Sequence, residues 1–149
     1  MKLIIGGAYQ GKLEYAKKTY GTEAGWIDGA MCGFDEIRTC SGIYHFHKYI
    51  KRLLTETGNL CPDERTESWN KYPSDDLAGL EVQAEQFAEK LRKENPDIII
   101  VSTELGYGVV PVEKSDRTYR EATGRVCTCL AAKAEEVVRV VCGIGMKLK

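Results

Sequence analysis

No apolar run in this chain approaches the ~20 residues that a bilayer-spanning helix needs, so no membrane span is expected. The opening MKLIIGG is too short, and too soon broken by glycine, to read as a signal peptide. Net charge is equally scarce: 21 Lys and Arg stand against 22 Asp and Glu, leaving −1 overall. Without a basic excess, nothing in the balance calls for nucleic acid or an anionic surface as partner. Cysteine is sparse too. Six residues (Cys32, Cys40, Cys61, Cys127, Cys129 and Cys142) are too few for a disulfide framework, and they form neither a CxxC pair nor the His–Cys spacing of a zinc site. They are expected as reduced thiols in a cytoplasmic protein. No internal repeat or low-complexity tract is visible. What is present, 149 residues of which 43% are apolar and 29% charged, is the composition of an ordinary globular chain with residues 1–149 as a single domain.

Along the chain, strand and helix patterns alternate. KLIIGG is a short apolar run ending in glycine, the mark of a buried strand entering a loop. A helical pattern follows through Leu13, Ala16 and Tyr20 up to Gly21. AGWIDG is a second, shorter strand candidate, and residues 30–42 show no clear period. From Ile43 to Leu54 the apolar positions Ile43, Phe46, Ile50, Leu53 and Leu54 predict a helix, with Gly58 as its stop. Asn59–Asp76 holds two prolines and many polar residues and reads as a long loop, a class that often carries function. Leu77, Leu80, Ala84, Phe87, Ala88 and Leu91 line one side of an amphipathic helix that Pro96 cannot continue. DIIIVSTELG contains four consecutive β-branched residues, Ile98 to Val101. Such an unbroken run belongs to a strand covered on both faces, as in a parallel sheet. A helix over about Asp116–Lys133, a strand at EEVVRVVCG and an edge piece at GMKLK complete the order. The alternation predicts a three-layer α/β fold with a mostly parallel central sheet.

The loop GGAYQGKL then stands out. Gly6, Gly11 and Lys12 have the spacing of GxxxxGK(S/T), directly after an apolar strand and at the opening of a helix. Glycines there let backbone N–H groups converge on phosphate oxygens, while the lysine adds a point charge at the helix N-terminus. Gly6, Gly7, Ala8, Tyr9, Gln10, Gly11, Lys12 and Leu13 are accordingly the candidate nucleotide-binding residues; the bland alternative is a plain strand–turn–helix connection. Leu13 occupies the place of the hydroxyl that ligates Mg²⁺ in a complete motif. A metal would need Glu104, Asp28 or water instead, and phosphoryl transfer would suffer most. Glu104 follows the strongest strand, at the end where open α/β sheets bind their ligands, and suits a metal ligand, a sugar-hydroxyl acceptor or a turn cap. Lys48, Lys51 and Arg52 read as an exposed basic helix side, and Trp26 and Trp69 as packing or loop anchors.

The stretch VSTELGYGVVPVEKSDRTYREATGRVCTCLAAKAEEVVRVVCGIGMKLK resembles the C-terminal third of the adenosylcobinamide kinase/adenosylcobinamide-phosphate guanylyltransferases. These show TNE-(V/L)-G-x-G-(I/V)-VP, RxFRD, G-x-x-N-Q-x-L-A, A-(D/E)-E-V and GI-x-x-K-(I/L)-K in that order, and GGAYQGK is similar to their GGxxSGKS. The resemblance implies a P-loop NTPase fold of the RecA-like kind, GTP or ATP with Mg²⁺ at the first loop, a corrinoid as second substrate, and a homotrimer. It implies phosphorylation of the aminopropanol hydroxyl of adenosylcobinamide, then transfer of GMP onto that phosphate through a histidine. Lys12, Glu104, His45 and His47 are the catalytic candidates, Glu104 also the metal candidate. Arg117 and Arg120 match the RxFR element, facing either the triphosphate or solvent. Departures are Gln10 for serine, Leu13 for the hydroxyl, Ser102-Thr103-Glu104 for TNE, Cys127-Thr128 for NQ, and a much shorter middle where the family carries its histidine helix. His45 and His47 are the only histidines, and the residues leave their order open. The other reading is a degenerate member that binds nucleotide or a protein partner with little transferase activity.

Overall fold

The computed structural model describes residues 1–21, 25–58, 60 and 77–149. The elements in chain order are β1 (Lys2–Ile5), α1 (Lys12–Tyr20), β2 (Trp26–Asp28), α2 (Phe34–Thr39), β3 (Gly42–Tyr44), α3 (Phe46–Glu56), α4 (Leu77–Glu94), β4 (Ile99–Val101), α5 (Lys114–Lys133), β5 (Glu136–Val141) and β6 (Ile144–Lys147). The strands form one sheet in the order β2-β3-β4-β1-β5-β6. Every pairing is parallel except the last, where β6 returns antiparallel along β5. Crossover helices between parallel strands leave both sheet faces covered, as the unbroken apolar strand runs require.

The two-residue side-chain period divides the core. Leu3, Ile98, Ile100 and Val137 face a large cluster built with Ile37, Phe46, Ile50, Phe87, Leu91, Val126 and Leu130 of α2 to α5. Ile4, Ile99, Val101, Val138 and Val140 face the other way, onto Ala16 of α1 and the flanking Tyr15, Tyr20, Trp26 and Tyr44. One short helix thus covers one face and four cover the other, with β1 at the sheet's centre carrying its loop out over α1.

Two regions depart from the sequence pattern. Residues 30–42 hold α2 and the start of β3, elements of six and three residues, too short to establish a period. The helix predicted from Ile43 begins instead at Phe46. Ile43 is a strand residue paired with Ile27 and Ile100, and its spacing to Phe46 and Ile50 imitates a helical repeat across a strand–helix junction. The loop expected over Asn59–Asp76, with Cys61 and Trp69, lies outside the described residues apart from Leu60.

α2 is held at both ends. Gly33 N–H donates to the Glu36 carboxylate at 2.7 Å, closing its first turn. At the other end the buried Asn95 side chain donates from Nδ2 to Ile37 O at 2.8 Å and to Cys40 O at 2.9 Å, satisfying carbonyls the helix itself cannot use. Asn95→Ala should therefore lower unfolding stability by about 1–3 kcal/mol, since it orphans Cys40 O and leaves Ile37 O only the weak Cys40 Sγ donor at 3.4 Å. Urea denaturation measures this, and a loss below about 0.5 kcal/mol, the range of a neutral surface change, would show the clamp to be ornamental.

Candidate functional site

Between β1 and α1 the chain makes its glycine loop. Gly6 has φ 152°, and a Cβ there would lie 2.3 Å from Val140 O, so only glycine lets β1 pass so close to β5. Gly11 has φ 77° and caps α1 in the left-handed region. Gln10 ties the loop to the β5–β6 turn: its Oε1 accepts from Cys142 N–H at 2.7 Å and its carbonyl from Gly143 N–H at 2.9 Å. Its side chain thus anchors the loop. Tyr9, at φ 59°, stands fully exposed at the loop's crest. Lys12 is buried under the loop and donates from Nζ to Gly7 O at 2.6 Å. Burial draws its pKa below the usual lysine value, against the pull of Glu104.

Opposite the loop, β3 hands over to α3 at His45, which has φ 52°. Its Nδ1 lies 3.0 Å from Oδ1 of Asp28 at the end of β2. Burial pushes the Asp28 carboxyl up, but the hydrogen bonds from Ala30 N–H and His45, and the charges of His45 and Lys48, outweigh it and hold the group below its ordinary range. A carboxylate facing Nδ1 favours the tautomer with its proton on that nitrogen. His47, one residue into α3, sets its ring edge-on to that of His45, with centroids 6.0 Å apart. Its Nδ1 is buried with no hydrogen-bond partner. Burial first, and then the positive neighbours His45, Lys48 and Lys12, bring its pKa down to about 4.

These two sides enclose a cleft of ≈ 420 Å³. Ala8 to Glu14, Tyr44, His45, His47, Lys48 and the β4 end at Val101, Thr103 and Leu105 line it. The loop, Lys12, His45 and His47 are brought together as a group. Glu104 adjoins this group: its backbone N–H donates to Gly6 O at 3.0 Å and its charge acts on Lys12, while it lines a neighbouring cavity of ≈ 350 Å³ with Tyr107, Arg120 and Cys127. Its Oε2 pairs with Arg139 Nε at 3.2 Å, and Arg139 Nη2 donates on to the Tyr107 hydroxyl at 2.8 Å. Arg117 donates to Pro111 O and Val112 O, Arg120 to Gly106 O and Val109 O, so both staple the loop before α5. Sequence reading passed over the Asp28–His45 pair and the cleft face of Lys48. The available signal was an acidic strand end beside a strand that a histidine follows. Chemically, the cleft brings together a glycine loop, two lysines and two imidazoles.

Comparison with known proteins bears on the same chain. The sequence model of a family described as cobinamide kinase / cobinamide phosphate guanyltransferase matches residues 50–148. The bifunctional adenosylcobalamin biosynthesis protein CobU of Escherichia coli is 32% identical over 100 residues, covering 67% of this chain and 52% of the relative. Its namesake in Salmonella typhimurium is 46% identical over 52 residues, 35% of this chain and 29% of the relative. The bifunctional protein CobP of Pseudomonas aeruginosa is 29% identical over 166 aligned positions, 99% of this chain and 96% of the relative. The matched stretch thus spans about half or less of the first two relatives, and with the third it takes in the glycine loop and both histidines.

The depressed pKa of His47 has a stability consequence. The folded state prefers neutral imidazole, so the unfolded chain binds the proton first as pH falls. Stability is whole above pH 6.5 and declines as pH drops toward 4. Urea midpoints across that window should fall in the parent and fall less in His47→Gln. A His47 resonance titrating near 6.5 by NMR would contradict the assignment.

Proposed function

This chain belongs to the cobinamide kinase / cobinamide phosphate guanyltransferase family, and we propose that it binds GTP or ATP through Gly6 to Leu13 and transfers a phosphoryl or guanylyl group to a corrinoid. The observation that carries this reading is the cleft itself, in which the glycine loop and the Asp28–His45 pair face one another. Backbone N–H groups of the loop and the α1 N-terminus receive the phosphate oxygens, and Lys12 leaves Gly7 O to meet the outer phosphates. His45 serves as the nucleophile. Its Nε2 attacks the α-phosphorus of GTP, an N–P bond forms as the bond to the β-phosphate bridging oxygen breaks, and pyrophosphate leaves. A phosphate oxygen of cobinamide phosphate then takes the guanylyl group, the N–P bond breaks, and the imidazole is restored. Asp28 acts through His45 by fixing its tautomer and stabilising the cation that develops on the ring.

In the kinase half-reaction the corrinoid hydroxyl oxygen attacks the γ-phosphorus, and the nucleoside diphosphate departs. Lys12 and Lys48 bear on that step as charges facing the transferring group. No helix among the described residues is long and apolar enough to cross a membrane.

The test is covalent capture. Incubation with GTP labelled at the α-phosphorus should leave an acid-labile, base-stable label on the protein. The label should vanish in His45→Asn and survive in His47→Gln, and it should form about ten- to a hundredfold more slowly in Asp28→Asn, as for loss of an orienting partner. Lys12→Ala should weaken nucleotide binding at least about tenfold, as the loss of a charged phosphate contact does. Nucleotide binding with no label in the parent, or a label that persists in His45→Asn, would overturn His45 as the carrier.

A further inference from the structure

A nucleotide-bound Mg²⁺ usually keeps several waters and touches the protein through one or two carboxylates or hydroxyls beside the phosphates. The residues here fit that role poorly. Leu13, at the position after Lys12, lines the cleft and has no oxygen to offer. The Glu104 carboxylate is engaged by Arg139, 3.2 Å away, and lines the neighbouring cavity. Asp28 accepts from Ala30 N–H at 2.8 Å and faces His45 at 3.0 Å. Recruiting either carboxylate would break an existing charge pairing. Glu14 alone among the cleft-lining side chains is a carboxylate, and it is exposed; the β4 end adds one aliphatic hydroxyl, that of Thr103, with no carboxylate beside it in the lining to share a divalent ion. Among the described residues no three His, Cys, Asp or Glu side chains converge as a metal site. Positive charge, in contrast, is already in place, as Lys12 and Lys48 both line the cleft.

We infer that the loop takes its nucleoside phosphate as a free anion, with binding independent of magnesium. The inference rests on the reading of Gly6 to Leu13 as a nucleotide cradle and adds to it the form of the ligand. It also gives Arg139 a role outside the transfer chemistry. By holding Glu104 it removes the charge that would otherwise favour a divalent ion beside the loop.

The experiment is calorimetric titration of the full chain with guanosine 5′-(β,γ-imido)triphosphate, once in magnesium and once in EDTA. The dissociation constants should agree within about threefold, a coupling too small to count as linkage between metal and nucleotide. Tightening by magnesium of about tenfold or more would overturn the inference while leaving nucleotide binding standing. Binding in neither condition would overturn the cradle reading, and this inference with it. The double variant Leu13→Ser/Arg139→Leu restores a hydroxyl and frees the Glu104 carboxylate. It should acquire a magnesium dependence of about tenfold. A parent and variant equally indifferent to magnesium would show that Leu13 and Arg139 are not its cause, and so contradict the donor-set argument. Circular dichroism of the double variant confirms that the comparison is between folded proteins.

Discussion

The anchoring of the glycine loop on the β5–β6 turn is the constraint on which the rest of the site depends. Gln10 accepts from two consecutive backbone N–H groups of that turn, Gly6 lies against Val140 O, and a Cβ on Gly11 would sit 3.3 Å from Gly143 Cα. The loop is therefore shaped by a hairpin more than a hundred residues away in sequence. A phosphate cradle must hold its amide groups in place before the ligand arrives if it is to bind well, because ordering a glycine-rich loop costs more conformational entropy than ordering other residues. Here the order is present in advance. The serine-to-glutamine departure at position 10 has a physical reason on this view: serine would be too short to reach the Cys142 N–H from the same backbone.

The facing wall follows from the parallel sheet. β2 and β3 pair in register, Asp28 with Tyr44, so the carboxylate at the end of one strand lies beside the histidine that follows the other. A sharp handover into α3, with His45 in the left-handed region, then turns His47 toward the same cleft. The two imidazoles sit in different electrostatic settings. His45 has a carboxylate partner, whereas His47 is half-buried among positive neighbours with an unpartnered Nδ1. Environments that differ in this way separate the duties of otherwise identical groups. The shortened middle of the chain thus does not leave the site without an imidazole.

Much of this was legible in the sequence. The alternating order, the buried β4 run, the glycine loop and the C-terminal motifs each carried their own signal, and together they indicate the α/β fold and the family. The short elements between residues 30 and 46 were not, because a six-residue helix and a three-residue strand carry no period. Glu104 follows the strongest strand, as read, but spacing says nothing of Arg139, which pairs with its carboxylate. Arg117 and Arg120 donate to loop carbonyls, and a guanidinium that does so looks the same in sequence as one that binds phosphate. The Asp28–His45 pair depends on strand register, which no local pattern encodes.

The central claim is that the glycine loop and the two histidines form one nucleotide site. Imidazole and amide NMR of the isotopically labelled protein, followed during GTP titration, tests it most directly. The account predicts that the ring signals of His45 and His47 shift with the same midpoint as the Gly11 amide. Movement of Gly11 with both histidine rings unchanged would contradict it.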